Sequence, residues 1–63
     1  MLESYPDLLT LKQVEEIFNC KRFTSLKLVT EREIQGFKIA GRWMVSKESV
    51  IEYIREQLDE NEG

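Results

Sequence analysis

The stretch Phe37 to Ser46, FKIAGRWMVS, decides the fold, because it reads as two short β-strands around a tight turn. A two-residue Ala40-Gly41 loop would set Phe37 opposite Met44 and Lys38 opposite Trp43. A three-residue loop, Ile39-Ala40-Gly41, pairs Lys38 with Arg42 and Phe37 with Trp43 instead. The longer loop also places Gly41 where a type I turn with a bulge needs a left-handed residue. It sorts the strands cleanly: Phe37, Trp43 and Val45 inward, Lys38, Arg42 and Met44 outward. The three-residue loop is therefore the expected register, with Lys38 and Arg42 side by side on the outer face and Trp43 in the core.

Working outward from the hairpin, Ser46 is placed to cap a helix over KESVIEYIREQL, with Val50, Ile51, Ile54 and Leu58 as its buried stripe and Tyr53 beside it. Towards the N-terminus, KRFTSLKLVTEREI (21–34) holds neither Gly nor Pro and predicts a helix of about three turns. Ahead of it, Thr10 and Gln13 have capping-box spacing, so a helix should start at Thr10, with Leu11, Val14, Ile17 and Phe18 on one face. Asn19 tolerates the left-handed conformation and should close that helix and begin the turn. Residues 1–8 lack periodicity and contain Pro6, so they read as a flexible arm, and 59–63 as a frayed acidic tail. The predicted order is helix, helix, hairpin, helix, one domain over 9–58. Its expected core contains Leu11, Val14, Phe18, Leu28, Ile39, Val50 and Ile54.

Composition narrows the function. With 63 residues, no His and a single cysteine, Cys20, the chain offers no disulfide, no Cys/His metal site and no Ser-His or Cys-His catalytic pair. An enzyme is not expected, nor a cofactor, a metal or a small-molecule substrate. No targeting or membrane-spanning segment is visible, so a soluble cytoplasmic protein is expected. The net charge of −3 conceals a polarised chain. Seven of the nine cations lie between Lys21 and Lys47, facing only Glu31 and Glu33, while both ends are acidic. A basic centre of this kind is the electrostatic footprint of phosphate binding.

Two helices joined by a short turn and followed by a hairpin and a closing helix also resemble a known family. LTLKQVEEIF, the turn with KRFTSLKLV, and FKIAGRWMVSKESVIEYI are similar to the small winged helix-turn-helix domains of excisionases and MerR-type regulators. The resemblance runs ungapped from Leu9 to about Ile54. It is most specific at Phe37-Lys38-Ile39, Gly41-Arg42-Trp43 and Val50. The chain departs from the family at Glu15, where a small Ala is usual, and at Asn19, where Gly is. Lys21 replaces a capping Ser or Thr, and Ser25 an apolar core residue for which Leu26 could substitute.

The resemblance implies double-stranded DNA as partner, with 21–31 in the major groove and the wing, 37–45, on the backbone or minor groove. The candidate contacts are Lys21, Arg22, Thr24, Ser25 and Lys27 on the second helix, where helix-turn-helix proteins meet bases and phosphates, and Lys38 and Arg42 on the wing. The expected role is that of a phage or mobile-element excisionase: a nucleoid-associated architectural protein that bends DNA beside an integrase and self-associates on it. A stand-alone MerR-like transcriptional regulator and a DNA-packaging role resembling small terminase subunits share the fold. A protein-interaction module that keeps a helix-turn-helix shape is the alternative of another class, motivated by the acidic ends.

Overall fold

In a computed structural model, which describes residues 1–62, the chain forms β1 (Leu8–Thr10), α1 (Leu11–Phe18), α2 (Arg22–Thr30), β2 (Gly36–Ile39), β3 (Arg42–Ser46) and α3 (Lys47–Glu62). Three helices pack on a small antiparallel sheet of order β1-β3-β2. The architecture is the expected winged helix-turn-helix with one added strand. β1 pairs Leu9 with Val45 and Thr10 with Met44, so β3 is the centre of the sheet and not the outer arm of a hairpin.

α1 forms as its residues dictate. The Gln13 amide donates to Thr10 Oγ1 at 3.2 Å and the Thr10 amide to Gln13 Oε1 at 2.9 Å, closing the capping box. Asn19, at φ 52°, ends the helix. There the Cys20 N–H reaches Glu15 O at 3.0 Å. α2 is shorter than its composition suggests. It stops at Thr30 because Arg32 takes the left-handed conformation (φ 61°). The Arg32 and Glu33 amides then donate back to Val29 O and Leu28 O, a Schellman closure without glycine. Ile34, expected within that helix, lies past its end and fills the core from the loop.

The hairpin departs from the expected register. The loop has two residues, with Ala40 at φ 52° and Gly41 at φ 78°, both left-handed as a type I′ turn requires. Lys38 faces Trp43, Phe37 faces Met44 and Ile39 faces Arg42. The primed turn has the twist of the strands it joins, which outweighs the penalty on Ala40. A shift of this kind moves β2 side chains to the other face. Phe37 and Ile39, expected inside, are therefore 46% and 55% exposed, and Lys38 shares the face of Trp43 and Val45.

The core joins Leu9, Leu11, Val14, Val29, Ile34, Val45 and Val50, with Ile17, Phe18, Leu26, Leu28, Trp43, Tyr53 and Ile54 partly buried against it. Phe18 and Tyr53 meet edge-to-face at 5.9 Å, tying α1 to α3. Gly36 lets α2 sit directly on the sheet: a Cβ there would lie 3.0 Å from Met44 O and 3.1 Å from Val29 Cγ1. Ser46 caps α3 through a 3.2 Å bond from the Ser49 amide.

Leu8 belongs to the sheet, and the residues before it are held down by Lys47, whose Nζ donates to Tyr5 O at 2.9 Å. α3 continues helical through Glu62, beyond the expected end at Leu58; Gly63 lies outside the described residues. Leu58, assigned to the buried stripe, is 55% exposed.

Candidate nucleic-acid interface

α2 begins at Lys21, whose backbone is extended as an N-cap requires (φ −91°, ψ 169°) but whose side chain makes no capping bond. The first-turn N–H groups therefore have no side-chain acceptor. Lys21 and Arg22 crowd the positive end of the helix dipole, and no acidic residue offsets them in the first turn. Such an end is exposed to water and favours an anion.

Burial sorts the rest of α2. Ser25 and Val29 point into the core, Leu26 and Leu28 are half-buried at its flanks, and Phe23, Thr24, Lys27 and Thr30 are exposed. Ser25 is corrected by this geometry. It is 0% exposed, and its hydroxyl donates to Arg22 O at 2.9 Å, so it occupies the core position and has no surface for a ligand. Lys21, Arg22, Thr24 and Lys27 remain on the surface.

Between α2 and the hairpin tip runs an open cleft of about 360 Å³. Lys12, Arg22, Lys38 and Arg42 reach it from α1, α2, β2 and β3, around a floor that includes Leu26 and Trp43. No carboxylate lines it. The ion pairs among the described residues, Met1 with Glu3 and Lys47 with Asp7, involve none of the four cations. Four uncompensated positive charges around one concave surface raise the local potential well above what the net charge suggests.

The expected pairing of Lys38 with Arg42 across one strand face does not occur, since those residues point to opposite faces. Both nonetheless line the cleft beside the hairpin tip. Trp43 packs partly against the core and forms part of the cleft wall. Lys12 was missed by the sequence reading, which grouped it with the acidic N-terminal segment. The available signal was its position two residues after the Thr10 cap, on the first turn of α1.

Residues 8–58 match a family described as helix-turn-helix domain. The chain belongs to this helix-turn-helix family. In this helix-turn-helix domain, α1, the turn at Asn19 to Lys21 and α2 form the motif of a small DNA-binding family, and β2 with β3 forms the wing. The matched segment begins at the first residue of β1, so the strand that centres β3 is part of the domain. No curated protein and no solved structure matches the helix-turn-helix chain. Among the described residues no helix is long and apolar enough to cross a membrane.

Proposed function

We propose that this helix-turn-helix domain binds double-stranded DNA, with α2 in the major groove and the β2–β3 wing on the adjoining backbone or minor groove. In this reading it acts as an architectural accessory of recombination in the manner of an excisionase. The observation that carries DNA binding is the carboxylate-free cleft where Lys12, Arg22, Lys38 and Arg42 converge from four elements. The uncapped, doubly cationic start of α2 supports it, because a backbone phosphate there would accept from the free N–H groups and relieve the dipole. No chemistry is required of the chain. Phosphate contacts supply affinity, and the excisionase role rests on the resemblance of the wing and closing helix.

Fluorescence anisotropy with a random-sequence duplex across salt concentrations tests the binding. About four to six phosphate contacts predict a log K against log salt slope of roughly −4 to −5. Substituting Arg22→Ala together with Arg42→Ala should flatten it by about two contacts. Absence of binding at low salt would overturn the proposal. Footprinting then separates the roles. Repeated sites at an attachment site, with DNA bending, support the excisionase reading; a single palindrome over a promoter favours a MerR-like regulator. Cellular activity that survives Arg22→Ala with Lys27→Ala would instead favour a protein-interaction module.

A further inference from the structure

α2 inverts the ordinary placement of polar and apolar residues. Phe23 is 78% exposed while Ser25, two positions on and across the helix, is 0% exposed. Phe23 stands clear of the core cluster, on the same outward face as Lys27 and Thr30 at four and seven residues' spacing. A ligand that covered the ring would gain the free energy of removing its apolar surface from water. The ligand must also tolerate Lys21, Arg22 and Lys27 around the ring, which excludes a purely apolar partner surface and suits a polyanion.

We propose that Phe23 is a specificity residue that contacts the 5-methyl group of thymine in the major groove. This rests on the reading of α2 as the helix that enters that groove. A phenyl ring has no donor or acceptor, so it gains nothing from a phosphate or from the hydrogen-bonding edges of guanine, adenine or cytosine. Thymine alone among the four bases presents an apolar group there. The neighbouring cations hold the backbone and set the register, and the ring sorts the bases beneath it. α2 thereby separates affinity, carried by Lys21, Arg22 and Lys27, from selection, carried by Phe23.

The test uses the full chain and a duplex selected by it from a random-sequence library. Each thymine of that duplex is replaced in turn by deoxyuridine, which removes only the 5-methyl group. The wild-type chain should lose roughly fourfold in affinity at one or two positions, the worth of a desolvated methyl. Phe23→Ala should bind thymine and deoxyuridine duplexes equally, with an unchanged salt slope and thermal melt; Phe23→Leu should recover part of the discrimination. A wild-type chain indifferent to every deoxyuridine, or a methyl effect that persists in Phe23→Ala, overturns the assignment. Either result leaves DNA binding standing, whereas absence of binding to any duplex at low salt defeats the underlying reading itself.

Discussion

α1 spans eight residues and α2 nine, and they lie side by side in the helix-turn-helix, yet they are stabilised in opposite ways. α1 satisfies its own start through Thr10 and Gln13 and turns its apolar residues to the core, with Leu11 and Val14 fully covered. α2 has no side-chain cap, carries two cations at its positive end, buries a serine and exposes a phenylalanine. Local rules are obeyed along α1. In α2 they are broken at the uncapped start and at exposed Phe23, on the end and face that would meet DNA, and again on the opposite face, where Ser25 is buried. α2 keeps its place because Val29 packs onto Gly36 and because its last turn is closed by Arg32 and Glu33.

The contrast can be broken most forcefully from the scaffold side. Val14→Ala removes a 0% exposed side chain from α1 and should cost about 2 kcal/mol, lowering the thermal midpoint by about 10 °C in a domain of this size. Thr10→Ala opens the capping box and should cost about 1 kcal/mol by chemical denaturation, without altering the salt slope of DNA binding. Lys21→Ser sharpens the comparison from the other side. It gives α2 the missing cap at a position whose backbone already suits one, so stability should rise by about 0.5–1 kcal/mol. The same change removes a cation and should flatten the salt slope by about one phosphate contact. Smallest of all is Ser25→Ala. The hydroxyl bonds only to its own helix and Ala is the better helix former, so stability should stay within about 0.5 kcal/mol and DNA affinity should not change. A loss of affinity there would restore Ser25 to the contact set.

Only part of the candidate interface is legible in the sequence. Arg22, Lys38 and Arg42 follow from the charge pattern and the order of elements, and they do line one cleft. Lys12 was overlooked because the sequence places it among acids while the fold turns it towards the wing. Ser25 was misplaced because a hydroxyl on a helix looks solvated unless the packing around it is known. The wing went wrong at one residue: Ala40 is an unfavourable choice for a left-handed position, which made the longer loop look better. Without the three-residue β1, nothing in the sequence reading tied β3 to a partner on its other side.

What the amino-acid sequence determined by itself was whatever closes within about four residues. Examples are the Thr10–Gln13 box, the left-handed Asn19, and the Ser46 cap with its helix behind it. These bonds form between neighbours and carry little loop-closure cost, so their residue types announce them. The tertiary structure decided the register of the wing, the burial of Ser25 beside an exposed Phe23, and the meeting of four cations from four elements. Each of these depends on segments far apart in sequence: β1 pairs with β3, and the hairpin tip faces α1 and α2 across the cleft. Their free energy exists only once the chain has closed, and no local spacing encodes it.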